Sequence, residues 1–182
     1  MAGAAEAQGM AHILLGHGAS GSAASMRPHV EGLARRGISA QALQLPRGAV
    51  ERAAEVFRNT AGAALASTAI GGHSYGGRAA SLVAARERVA ALVLLSYPLH
   101  RPGRQDDLRT EHWSSIACPV LLLSGETDPF ARTDLLRSAT RLLPHAELHT
   151  YPRVGHGLGP VLDDALDRVA AFLRAGAGAG AA

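Results

Sequence analysis

Along this chain, short apolar runs alternate with longer segments in which apolar residues recur every three or four positions. The runs cover residues 12–15, 38–45, 68–72, 89–96, 120–124 and 146–151. Each is long enough for a strand and short for a helix. Between them, Val50, Ala53, Ala54, Phe57, Ala61, Ala64 and Leu65 form one stripe at helical spacing, and Leu135, Leu136, Ala139, Leu142 and Leu143 form another. The second stripe is preceded by Thr133 as its expected N-cap, with Asp134 in the first turn, where a carboxylate meets the positive helix end. A last helix is expected from Pro160, a favoured first-turn residue, burying Leu162, Leu166, Val169 and Leu173. Strand and helix alternating in this way predict an α/β fold of three layers, with a mostly parallel sheet of about six strands between two layers of helices.

The alternation breaks at residues 98–115, PLHRPGRQDDLRTEHWSS, a polar stretch longer than an ordinary connection and a candidate lid or binding loop. Residues 1–11 read as a flexible N-terminus, 12–174 as one domain, and 175–182 as a low-complexity tail. With 182 residues, 47% of them hydrophobic and 18% charged, the chain has the composition of a single globular domain with its own core. All 18 basic side chains are arginine, and the net charge is only +3. The arginines are scattered without aromatic interleaving, so no nucleic-acid partner is expected. Cys118 is the single cysteine, which excludes an intrachain disulfide and reads as a small buried hydrophobe. The opening MAGAAEAQGM, with neither a positive region nor an apolar core, is not expected to act as a signal peptide, and the strongly apolar stretch 89–95 is too short to span a bilayer. A cytoplasmic protein with no membrane partner is the expectation.

Two readings compete for Gly16-His17-Gly18-Ala19-Ser20-Gly21, at the end of the first run. As G-x-G-x-x-G it would cradle a dinucleotide pyrophosphate; as a strand ending in His-Gly it would offer a backbone donor to an oxyanion. The dinucleotide reading calls for an acid at the end of the second strand, where the chain has Gln41 and Gln44, although Arg47 could accept the 2′-phosphate of NADP. The chain also lacks any lysine, which a short-chain dehydrogenase or a Walker loop needs.

The third run leads into Gly72-His73-Ser74-Tyr75-Gly76, a G-x-S-x-G between strand and helix. That context suits a serine nucleophile on a sharp turn, whose neighbours two residues away must be tiny for the backbone to pass. Such a serine requires an acid and then a histidine further along. Asp128 follows the fifth run and His156 the sixth, both at strand ends that a parallel sheet gathers on one edge. The expected catalytic set is therefore Ser74, Asp128 and His156, with Glu126 as an alternative acid. The oxyanion donors would be the backbone N–H groups of Ala19 and Tyr75. Candidate substrate-binding residues are His17, read chiefly as a brace for its loop, and the loop arginines Arg47, Arg101, Arg104 and Arg109, whose guanidinium forks suit an anion. The stretch HAELH, residues 145–149, resembles a zinc motif, but its Glu is misplaced and the segment reads as strand, so no metal is expected.

These stretches together resemble a known family. LLGHGASG, GGHSYGGRAAS, LSYPLHRPG, LRTEHW, SGETDPF and GHGL are similar to the small α/β-hydrolases of the dienelactone-hydrolase-like group. More narrowly, they resemble the family joining bacterial hydrolase-like proteins with an animal testis-expressed protein and a histone-acetyltransferase-complex subunit. The resemblance implies an α/β-hydrolase core without the first two strands of larger relatives and without a cap domain. It matches Ser74, Asp128 and His156 to the triad positions; dienelactone hydrolases proper carry cysteine where Ser74 stands. The expected activity is hydrolysis of a small carboxylic ester or thioester through an acyl-enzyme, with no cofactor. The alternative, which the animal relatives suggest, is a non-catalytic binding or scaffold module on the same fold.

Overall fold

Each of the six apolar runs folds as a strand, with ends shifted by a residue or two. The computed structural model describes residues 11–179. Its strands are β1 (His12–Gly16), β2 (Ser39–Leu43), β3 (Ala69–His73), β4 (Ala91–Leu95), β5 (Val120–Gly125) and β6 (Ala146–Tyr151). They form one sheet in the order β2-β1-β3-β4-β5-β6, and every pairing is parallel. The helices are α1 (Arg27–Ala34), α2 (Val50–Ala61), α3 (Tyr75–Ala84), α4 (Thr133–Ala139) and α5 (Leu162–Ala179).

Successive strand residues face opposite sides, and this splits the core in two. Leu14, Ile70, Leu92, Leu94 and Leu122 pack against Phe57 of α2, Ala79 and Val83 of α3, and Leu136 of α4. Ile13, Leu15, Val93, Leu95 and Leu121 pack against Leu33 of α1 and Leu166, Val169 and Leu173 of α5. The central strand β4 is buried along its whole length, which is why its sequence is an unbroken apolar run.

Two local expectations change, and one helix had no signal in the pattern. Helix α1 produced no apolar stripe because Gly32 and Leu33 are its only buried residues. Thr133 is the first residue of α4 rather than its cap; Arg132 holds the cap position, and the Thr133 hydroxyl donates to the Glu126 carbonyl (3.4 Å). Helix α5 continues into the alanine–glycine stretch as far as Ala179, in keeping with the strong helix preference of alanine. Among the described residues no helix is long and apolar enough to cross a membrane.

The strand order reverses between β1 and β3: α1 leads from β1 to β2 on one side, and the chain then returns across β1 to place β3 on the other. The loops after β1 and β3 thus part at their carboxyl ends and leave a crevice, the usual ligand position in such sheets.

Candidate active site

Ser74 stands between β3 and α3 with φ 49° and ψ −111°, a conformation that a residue with a side chain rarely adopts. The turn is held from both sides. The Ser74 amide donates to Leu95 O of β4 (2.8 Å), and Ser74 O accepts from the Arg78 amide inside α3 (3.0 Å). Close approach of β1 makes the flanking glycines necessary: a Cβ at Gly72 or Gly76 would lie 2.3 Å from Gly16 O.

Three side chains from three strand ends meet here. The Ser74 hydroxyl donates to His156 Nε2 (2.8 Å), and His156 Nδ1–H donates to Asp128 Oδ2 (2.8 Å). The second Asp128 oxygen accepts the Phe130 amide (2.8 Å), so both oxygens of this buried carboxylate have partners. The bond at Nδ1 sets the imidazole tautomer and leaves the Nε2 lone pair aimed at Ser74. The His156 ring lies between His73 and Phe130, with ring centroids 5.2 and 4.5 Å away. His73 Nε2–H also donates to the His156 carbonyl (3.0 Å). Burial, its largest influence, lowers the pKa of His73, which keeps this brace neutral. Its bracing role was not evident from the sequence, because nothing in its spacing points to His156.

The alternative acid, Glu126, is turned away. Its carboxylate accepts from the Thr150 hydroxyl (2.8 Å) and pairs with Arg137 at the surface. Tyr75 opens α3, so its amide is one of the first-turn donors without an intrahelical acceptor. Its hydroxyl donates to Pro46 O (2.9 Å) and ties the loop after β2 to the elbow. Ala19 lies in the exposed turn after β1, which is closed by the Gly21 amide donating to Gly18 O (2.9 Å).

Ser74 and His156 open onto a cleft of about 880 Å³ whose walls include Ala19, Met26, His29, Tyr75, Pro98, Phe130 and Leu158. Of the expected substrate-binding residues, Arg109 is on those walls, whereas His17, Arg47, Arg101 and Arg104 are not. His17 is buried beside β2: its Nδ1–H donates to Gly18 O (2.7 Å) and its Nε2 accepts the Leu45 amide (3.0 Å). With both nitrogens engaged by backbone, it shapes the loop that carries Ala19. Arg47 is exposed, and only its carbonyl is engaged, by Arg52 (3.0 Å). Arg101 and Arg104 pair through a backbone bridge at the exposed tip of the 98–115 loop, where Arg104 faces Asp106 and Asp107. Arg109, from the same loop, does line the cleft, and Arg78, which the sequence did not single out, lines it too.

The 98–115 loop itself is pinned at both ends rather than free. Leu99, His100 and Trp113 are buried, His100 Nε2 accepts the Arg132 amide (3.1 Å), and the Tyr97 hydroxyl donates to Arg109 O (2.6 Å). His145, Glu147 and His149 lie on or beside strand β6, and among the described residues no three His, Cys, Asp or Glu side chains gather as metal ligands would.

A family model described as "Alpha/beta hydrolase domain" matches residues 9–177. The chain belongs to this family. Solved structures share the fold of this alpha/beta hydrolase at low identity. One is a monoacylglycerol lipase from Paleococcus ferrophilus, with a TM-score of 0.79 and 16% identity over 92% of this chain and 96% of the other. Est1E from Butyrivibrio proteoclasticus has a TM-score of 0.77 and 16% identity, over 93% and 89% of the two chains. An esterase from Pyrococcus furiosus has a TM-score of 0.72 and 17% identity, over 92% and 82%.

Proposed function

We propose that this alpha/beta hydrolase is a serine hydrolase of the dienelactone-hydrolase-like group that cleaves a small carboxylic ester or thioester through an acyl-enzyme. One observation carries the reading: an unbroken hydrogen-bonded chain runs from Ser74 through His156 to buried Asp128, and its serine end faces an open cleft. In the first step Ser74 Oγ bonds to the substrate carbonyl carbon while His156 Nε2 takes the hydroxyl proton. The carbonyl electrons move to oxygen, where the Tyr75 and Ala19 amides receive the charge. Asp128 holds the imidazole tautomer and stabilises its charged form. Collapse of the intermediate expels the alcohol or thiol, which takes its proton from His156. Water then repeats the sequence on the acyl-serine, releasing the acid and restoring Ser74.

The test is labelling with a fluorophosphonate probe, using Ser74→Ala as the control, alongside turnover of short p-nitrophenyl esters. Labelling of the wild type alone is expected. A folded wild type that neither labels nor turns over would favour the non-catalytic binding module. The same reading makes Ser74→Ala and His156→Ala each lower turnover by roughly 10⁴- to 10⁶-fold, and the double variant hardly more, because the residues act as a unit.

A further inference from the structure

Two side chains of permanent charge line the cleft, Arg78 and Arg109, and no carboxylate shares its walls. Arg78 lies in the first turn of α3, where its amide donates to Ser74 O (3.0 Å), and both residues line the cleft. Its Nε is buried without a hydrogen-bond partner. Arg109 approaches from the 98–115 loop and is held at three points. Its amide donates to Leu99 O (2.8 Å), its carbonyl accepts from the Tyr97 hydroxyl (2.6 Å), and its Nη1 donates to Pro98 O (3.3 Å). Neither guanidinium belongs to an ion pair among the described residues. Burial, and then the nearby charges of Arg78 and Arg101, lower the pKa of Arg109, outweighing the opposing influence of Tyr97 and Asp107.

A buried, unpartnered guanidinium nitrogen is costly, and a second cation beside it raises that cost. An arriving anion would relieve both, and guanidinium forks match carboxylate and phosphate oxygens. We infer that Arg78 and Arg109 form an anion subsite, so that the preferred ester or thioester carries a carboxylate or phosphate a short spacer away from its scissile carbonyl. The substrate half of this inference rests on the hydrolase reading above; the anion site itself does not.

Kinetics and binding test the two halves separately. Wild-type kcat/KM is compared for mono-p-nitrophenyl glutarate, a matched p-nitrophenyl ester ending in phosphate, and neutral p-nitrophenyl pentanoate. At least one anionic ester is expected to be preferred, and Arg78→Gln or Arg109→Gln to reduce that preference by roughly tenfold or more, mainly through KM. An anionic-to-neutral ratio that stays the same in both variants overturns the inference. Calorimetric titration of Ser74→Ala protein with glutarate, and separately with inorganic phosphate, gives the second readout. Binding by one of them, weakened roughly tenfold or more when Arg78→Gln or Arg109→Gln is added, supports the subsite and identifies which anion it takes. Arginine-dependent binding without hydrolysis of any ester would keep the subsite and remove the hydrolase reading. Hydrolysis without anion preference or arginine-dependent binding would do the reverse.

Discussion

Asp128 shows how much a single side chain holds in place. One oxygen orients His156 and the other fastens the Phe130 amide, which sets the ring that packs on His156. Asp128→Asn keeps the volume but not this pattern. The Asn oxygen would stay with the Phe130 amide, and its NH₂ would face His156, forcing the proton onto Nε2, where it can no longer accept from Ser74. Turnover should fall by roughly 10⁴-fold with little loss of stability, measured by steady-state kinetics beside thermal unfolding. Glu126→Gln should leave turnover near wild type, since that carboxylate bonds Thr150 and Arg137 at the surface. Loss in Glu126→Gln with full activity in Asp128→Asn would reassign the acid.

Between elements, the decisive contact is that of β1 with the start of α3. Gly16 and Gly76 bring two backbones together closely enough that a Cβ at Gly76 would lie 2.3 Å from both the carbonyl carbon and oxygen of Gly16. Backbone in the middle of a parallel sheet cannot step aside as a side-chain tip can. Gly76→Ala should therefore destabilise the protein by about 3 kcal/mol or more, the upper end of overpacking costs. It should also displace Ser74 relative to the loop that carries Ala19. The urea midpoint reads the first effect and fluorophosphonate labelling the second; an unchanged midpoint would show that the two elements separate more easily than their packing implies.

Across the whole molecule, half-buried histidines couple stability to pH. Burial, then the neighbouring His73, lowers the pKa of His29 from 6.5 to about 4, and its Nδ1 has no partner. Burial is also the largest influence lowering His73 and His112. The unfolded chain protonates these groups at their ordinary pKa, whereas the folded chain resists. Between about pH 6.5 and 4 the unfolded state therefore binds more protons, and stability present above pH 6.5 is lost as pH falls. Tm should drop by several degrees from pH 7.5 to 5, and His29→Leu should show a smaller drop. Equal drops in both proteins would assign the acid sensitivity to other groups.

The sequence by itself determined the layered α/β fold and the chain order of Ser74, Asp128 and His156. Both are written in local chemistry: apolar runs of strand length, a glycine-flanked serine, and polar residues just beyond strand ends. A parallel sheet carries all such ends to one edge whatever the loops contain, so the rough position of the site followed from topology alone. What tertiary structure decided is direction and distance. Asp128 and Glu126 are two residues apart, and only folding turns one inward to His156 and the other out to Thr150 and Arg137. The arginines divide in the same way. Arg101 and Arg104 share the 98–115 loop with Arg109, yet the loop is anchored through Leu99, Tyr97 and Trp113, so its tip goes to solvent while Arg109 goes to the cleft. Arg78 and His73 gave no signal because each depends on a neighbour remote in sequence: the cleft opposite α3 for one, the His156 carbonyl for the other. A one-dimensional pattern records which residues an element exposes, but which exposed residues face each other is set by how the loops pack.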